Sequence, residues 1–312
     1  ILMGCKFRKT IAVWQNTVQW ILGIQIIFLG EKHMKEEEKE AFDNAYHRAR
    51  RFVYKNARPL ELAKWQYHFE NGSREAVLET LACYQNTDGG FGYGLEPDYW
   101  NPHSSPSQTY EATEIIWEIG MEREDADHPV IQGILEYLSS GKEFEDNSWA
   151  HTIYTNNNYP HATEAINQFL MIKDCKEMYV VACFCRLYDY IAEAGLEAEF
   201  PMEAFEKRLK EVVFQTITQD VNLYITMWDV NICRPSTFLR AKDSMYYEMN
   251  KNIAEFELEF IAKTQLGDGS WEVTWEWGKS YPAAWGVAKN WWKSKIAIQN
   301  LLYWSGMMDS EE

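Results

Sequence analysis

The residues most able to do chemistry lie close together in the segment Gly94-Leu95-Glu96-Pro97-Asp98-Tyr99-Trp100-Asn101-Pro102-His103. Two carboxylates, an imidazole and two large rings fall within it, and its prolines make it a loop. Glu96 or Asp98 is suited to general acid or base work, with His103 as proton partner. Asp98 is the first choice for the acid or base, and Trp100 for a ring that stacks on a ligand. The plainer reading of the same loop is that its acids cap the helix that follows.

A second cluster runs from Trp149 through His151, Tyr154, Asn156, Asn157, Asn158, Tyr159 and Pro160 to His161. Mixed amides and rings suit a hydroxylated or amphipathic ligand, with Trp149, Tyr154 and His161 as contacts. Packing of a long loop is the simpler alternative. A third lies at Trp228-Asp229, with Trp275, Trp277, Trp291 and Trp292 later in the chain. Adjacent residues of a helix point different ways, so Trp291 and Trp292 cannot both face one ligand. Together these residues predict a pocket bounded by loops 94–108 and 149–161.

No metal or cofactor is expected. The six cysteines are scattered, which argues against a disulfide scaffold and for a reducing, cytoplasmic setting. Cys183 and Cys185 are two apart and face different sides of a helix. The formal charge of −17 repels phosphate backbones and makes nucleic acid a poor partner.

These loops must be held by helices. Apolar residues recur at helical spacing in Glu36–Asn56, in a helix capped by Ser73, and in Ser107–Ile119, Pro129–Leu138, Ala162–Ile172, Lys176–Ala194, Pro201–Phe214, Asn252–Gln265 and Tyr281–Ser305. No convincing alternating strand appears, so the predicted class is all-α. Residues 1–33 read as an extension outside the core. Lys6, Arg8 and Lys9 precede an uncharged run from Thr10 to Gly30, which is either upstream sequence before a start at Met34 or a signal anchor; the former is preferred. Beyond Met34 nothing resembles a membrane segment. The core domain is expected at 34–306, with an acidic tail at 307–312.

The turns between helices repeat. Gln85-Asn86-Thr87-Asp88-Gly89-Gly90-Phe91 and Gln265-Leu266-Gly267-Asp268-Gly269-Ser270-Trp271 share the form Q-x-x-D-G-x-aromatic. A weaker copy holds Asp146 and Trp149. The aspartates at 88, 146 and 268 are 58 and 122 residues apart, the second interval about twice the first. A period of about 60 residues points to stacked helical hairpins. Every motif position has a structural role. Gly supplies positive φ, Asp accepts turn N–H bonds, Gln bonds a neighbouring helix end, and the aromatic pins the turn.

The motif resembles the repeat of squalene–hopene and oxidosqualene cyclases. Gly89–Gly94 (GGFGYG), Pro102-His103 and Thr109-Tyr110-Glu111-Ala112 are similar to the pattern of protein prenyltransferase β subunits. The chain thus resembles the prenyltransferase/squalene-oxidase repeat group of the terpenoid cyclase/protein prenyltransferase superfamily. That resemblance implies an α-α toroid, two concentric rings of helices around an aromatic-lined cavity that holds an isoprenoid or similar amphipathic ligand. The family's chemical motifs are missing. There is no D-x-D-D, with Glu124-Asp125-Ala126-Asp127 the nearest string, no D-D-x-x-D, and no zinc-binding D-x-C. Three functions stay open: a prenyltransferase- or cyclase-like transferase using another acid, a non-catalytic binding or scaffold toroid, and a carbohydrate-active toroid working through paired carboxylates. A cavity walled only by apolar rings would favour the isoprenoid; paired carboxylates would favour the sugar.

Overall fold

The computed structural model describes residues 36–120, 125, 127–142, 144–145, 148–149, 153–162, 185, 202–221 and 233–308. These form an all-α fold. Its helices are α1 (Glu36–Asn56), α2 (Pro59–Phe69), α3 (Arg74–Ala82), α4 (Pro106–Glu118), α5 (Pro129–Ser139), α6 (Met202–Thr216), α7 (Tyr247–Thr264) and α8 (Pro282–Met307). Short 3-10 turns occur at Tyr154–Asn158 and Pro235–Thr237. The extended structure is one two-residue antiparallel pair, Phe144–Glu145 with Ser148–Trp149. The helices predicted over 162–172 and 176–194, the start of the chain, Trp228 and Asp229 lie outside the described residues, apart from Ala162 and Cys185.

The helix starts follow from the sequence. Ser73 accepts from Ala76 N at 3.1 Å and Ser105 from Gln108 N at 3.4 Å, each offsetting an orphan donor of a first turn. Pro106, Pro129 and Pro282 sit in first turns, where a missing N–H costs nothing. Pro59 does the same. In the sequence it ends α1, yet it also opens α2, a helix that periodicity alone does not separate.

Apolar faces bury two main cores. One joins α1, α6, α7 and α8 through Phe42, Ala49, Val213, Ile261, Ile298 and Trp304. The other joins α2 to α5 through Leu60, Leu78, Leu81, Ile115 and Ile134. The last helix returns to the first: α8 packs along α1 and α2, and α7 touches α1.

The two strong turn motifs have one geometry. Gln85 Nε2 donates to Gly89 O at 3.0 Å within its turn and to Val130 O of α5 at 2.9 Å. Gln265 Nε2 donates to Gly269 O at 3.0 Å and to Ala45 O of α1 at 2.9 Å. Asp88 Oδ1 accepts from Gly90 N, and Asp268 Oδ1 from Ser270 N. Gly89 and Gly269 have φ of +81° and +94°. A Cβ on either would lie 2.0 Å from Gly133 O or 2.2 Å from Arg48 O, so each glycine is required twice, by its φ and by the helix it touches. Phe91 and Trp271 are buried, and the Trp271 indole donates to Ile261 O at 2.8 Å. Both turns therefore clamp a neighbouring helix and release a loop from the same position. Of the weak copy, Ser148 and Trp149 lie in the extended pair; Asp146 is outside the described residues. Among the described residues no helix is long and apolar enough to cross a membrane.

Candidate functional site

The first loop, after Phe91, is pinned along its length. The Arg58 guanidinium, held by Glu61, donates to the carbonyls of Gly94 and Leu95, the latter at 3.0 Å. Gln108 accepts from Leu95 N at 2.9 Å and donates to Asn101 O at 3.2 Å. Gly94 makes the turn at φ +74°. Glu96 and Asp98 are thereby aimed at a cavity of about 1080 Å³, and neither caps a helix; Ser105 does that for α4.

The second loop, after Trp271, brings rings to the same place. Asp98 accepts three indole N–H bonds: Trp277 at 2.6 Å and Trp292 at 2.8 Å on Oδ1, and Trp275 at 2.9 Å on Oδ2. Trp275 and Trp277 come from the second loop and Trp292 from α8. Trp275 meets Trp292 edge-on at 4.8 Å, and Trp277 meets Trp100 edge-on at 6.1 Å. A carboxylate offers about four lone-pair directions, so one on Oδ2 remains.

The two carboxyls of the first loop differ in what surrounds them. Burial pushes Asp98 up from the ordinary carboxylate range to about 6, against the downward pull of its three indole donors and of Lys295. Burial also raises Glu96, well above its ordinary value, and the neighbouring charge of Asp98 adds to the rise. Glu96 has no indole donor to offset this. Of two adjacent carboxyls, the one that accepts hydrogen bonds ionises first, which makes Asp98 the stronger acid of the two.

Further charges face the cavity from α2, α4 and α8. Lys295 Nζ bonds both Glu111 oxygens, at 2.5 and 2.6 Å, and lies 3.7 Å from Glu114. Burial opposes its charge, but Glu111 and Glu114 win and raise its pKa. Glu118 accepts from Lys64 at 3.0 Å and pairs with His68 Nε2 at 2.9 Å. Burial would raise Glu118; Lys64, His68 and Arg240 overcome that and hold it well below the carboxylate range. His68, wholly buried, is lowered chiefly by desolvation and stays neutral.

The other residues singled out from sequence are spread more widely. His103 is exposed, its backbone N–H held by Asn101 Oδ1 at 3.0 Å and its ring 6.4 Å from Tyr159, and it is absent from the cavity wall. Trp100 stacks on Trp291 at 5.2 Å and packs behind the wall. Tyr154 is 86% exposed. His161 is buried, with Nδ1 2.8 Å from Tyr159 O and its ring 5.7 Å from Tyr281. Loops 94–108 and 153–162 do adjoin: Trp100 N donates to Pro160 O and Ala162 N to Asp98 O, both at 3.0 Å, and Asn101 Nδ2 donates to Thr155 Oγ1 and Asn156 Oδ1, both at 2.8 Å. Trp149 pairs through its backbone with Phe144, and Trp228 and Asp229 lie outside the described residues. Sequence reasoning groups Trp275, Trp277 and Trp292 with Trp228-Asp229, and nothing local ties them to Asp98; Glu111 and Lys295 are the participants it misses.

Comparison with protein families, curated proteins and solved structures gives no match for this chain. Among the described residues no group of three or more His, Cys, Asp or Glu side chains could hold a metal ion.

Proposed function

We propose that this chain is an α-α toroid whose central cavity hydrolyses glycosidic bonds in an uncharged carbohydrate by acid–base catalysis. The toroid is supported by the return of α8 to α1 and by the second turn's grip on Ala45, which repeats the first turn's grip on Val130. The chemistry rests on one observation: Glu96 and Asp98 face one cavity, Asp98 under three indole donors and Glu96 under none. That contrast separates an acid from a base, as this class of reaction requires.

In this reading Glu96 gives its proton to the leaving glycosidic oxygen as the bond from the anomeric carbon breaks. A water forms the new bond to that carbon. Its proton passes to Asp98 through the open position on Oδ2. Trp275 and Trp292, on the cavity wall, supply flat apolar surfaces for sugar faces. The resemblance to isoprenoid enzymes points to a different ligand, but two features weigh against a prenyl diphosphate. The wall carries several carboxylates. The four lysines that line it are all held by acids: Lys295 by Glu111, Lys64 by Glu118, Lys289 by Glu272 at 2.6 Å and Lys263 by Glu259 at 2.7 Å. A diphosphate would have to break those pairs or draw Arg240 off Trp117 and Arg234 off Phe260, the two arginines of the wall.

The test is a panel of neutral oligosaccharides and aryl glycosides assayed for hydrolysis, beside native mass spectrometry of protein purified from its own host. Turnover that falls at least about a hundredfold in Glu96→Gln supports the reading. A copurified isoprenoid, with no hydrolysis across the panel, overturns it in favour of the lipid. An empty cavity with neither activity favours a scaffold.

A further inference from the structure

Lys295 is buried on α8, and what it touches divides in two. Its ammonium is fixed by both oxygens of Glu111 on α4. It also lies over the face of Trp292, 4.9 Å from the ring centroid. The N–H of that same ring donates to Asp98 at 2.8 Å. Glu111, Lys295, Trp292 and Asp98 therefore form one continuous row from α4 to the first loop, through a ring with a cation on its face and an anion at its edge.

A cation over an aromatic face draws electron density toward itself, which leaves the indole N–H more positive and a stronger donor. The low dielectric of a buried site magnifies the effect. Trp275 meets Trp292 edge-on at 4.8 Å and bonds the other oxygen of Asp98, so the orientation of Trp292 also sets a second donor. Lys295 makes no hydrogen bond to Asp98; its charge acts on Asp98 across space, and the ring adds a second route.

We infer that Lys295 is a positioning residue that, anchored by Glu111, polarises Trp292 and so fixes Asp98 as a hydrogen-bond acceptor at the cavity wall. Its link to catalysis rests on the acid–base reading above, but the link between Lys295 and Trp292 does not. Arg58 makes a similar approach to Trp291, 5.1 Å from that ring, and Trp291 stacks on Trp100 beside Trp277. Cations thus bracket the tryptophan cluster on two sides. Trp291 is not one of the three rings that bond Asp98, so among the described residues Lys295 is the cation placed over a ring that does.

The experiment is a nitrogen–proton correlation spectrum of the full chain, with the Trp292 side-chain N–H assigned by its loss in Trp292→Phe. Lys295→Met is expected to shift this signal upfield, toward a weaker hydrogen bond. Lys295→Arg is expected to restore it. The side-chain N–H signals of Trp65, bonded to Glu70, and of Trp271, bonded to Ile261, report the fold and should stay put. If Lys295→Met alone fails to fold because Glu111 is stranded, the pair Lys295→Met with Glu111→Gln removes both charges and should show the same shift. An unmoved Trp292 signal in either folded variant overturns the inference. So does a signal that Lys295→Arg displaces as far as Lys295→Met. Where a glycoside is turned over, Lys295→Met should lower kcat about tenfold at unchanged KM. Absence of turnover in the wild type defeats the glycosidase reading and leaves the spectral test standing.

Discussion

The loop that follows the first Q-x-x-D-G turn and the loop that follows the second leave matching positions with different parts in one bond network. Each holds both carboxyls and rings, Glu96, Asp98, Tyr99 and Trp100 in the first and Glu272, Trp275, Glu276 and Trp277 in the second. The first supplies the acceptor, Asp98, and the second supplies two of its donors, Trp275 and Trp277. Each turn clamps a helix through the same glutamine bond, at 2.9 Å in both cases, and each glycine presses on a helix carbonyl. The turns are therefore a positioning device with no chemistry of their own. What differs is the payload, and the site exists only where the two payloads meet, as two indole bonds from the second loop and a third from Trp292 of α8 on one carboxylate. Repeat symmetry gives the place, and departure from the repeat gives the chemistry.

The sharpest way to break this comparison is to remove the acceptor the loops share. Asp98→Ala leaves three indole donors, Trp277 buried and Trp275 and Trp292 half-buried, with nothing to bond. At about 1–3 kcal/mol for each unsatisfied donor, partly relieved by water entering from the cavity, we expect a loss of about 4 kcal/mol. Asp98→Asn should cost less, since one oxygen still accepts. Chemical denaturation of both variants measures the difference; an Ala variant as stable as wild type would show that the loops are held by other contacts.

The turns come next. Gly89→Ala and Gly269→Ala each force an L side chain to positive φ and drive a Cβ into a helix carbonyl. We expect about 3 kcal/mol for each, and similar values for the two, because the geometry is shared. Gly267→Ala, in the same turn but with open space at its Cβ, should be close to neutral. Unequal losses at 89 and 269 would mean that the two clamps are not equivalent.

Much of this arrangement is legible in the sequence. The Q-x-x-D-G turns, the capped helices and the choice of Glu96 and Asp98 all come from local signals: spacing, glycine chemistry and two acids in a proline-bounded loop. What is not legible is the partner. The indoles that bond Asp98 lie 177 to 194 residues away, and no local window joins them. His103 groups with Asp98 by nearness in sequence, yet it stands exposed beyond Pro102, its backbone tied to Asn101. Pro59 reads as a stop, although a proline equally suits a first turn, so α2 and with it Lys64 stay hidden from a reading of periodicity.

A third prediction follows from the raised carboxyls. Asp98 has a folded pKa of about 6 against an ordinary value of 3.8. Folding therefore favours its neutral form. Its contribution to stability is complete below the unfolded value and is lost as pH rises through about 6, which amounts to about 2–3 kcal/mol between pH 4 and 7. Glu96, Glu111 and Glu257, also raised chiefly by burial, add loss of the same sign. Glu118 and Glu70 are lowered and act oppositely, weakening the fold as pH falls through their folded values. The melting temperature should thus peak in mildly acidic buffer, and Asp98→Asn should flatten its alkaline side. A wild-type maximum at or above neutral pH would contradict the burial of these groups.

The smallest expected effect separates the two possible partners of the first loop. If the working pair is the first loop with the second, residues of the first loop and of 153–162 that point away from the cavity should matter little. His103 and Tyr154 are the cases to test. Both are exposed, and His103 has no place on the cavity wall. His103→Ala loses an edge contact with Tyr159 and keeps the backbone bond to Asn101, which does not depend on the side chain. Tyr154→Ala removes a ring that faces solvent. Each should change stability by under about 0.5 kcal/mol, the range for surface substitutions away from special features. Each should also leave turnover of any glycoside within about twofold, whereas Trp275→Phe, which deletes one indole bond to Asp98, should reduce it further. A His103→Ala variant that folds normally but loses turnover would move the proton partner of Asp98 to the loop surface, and the second loop would then be a support for the site instead of half of it.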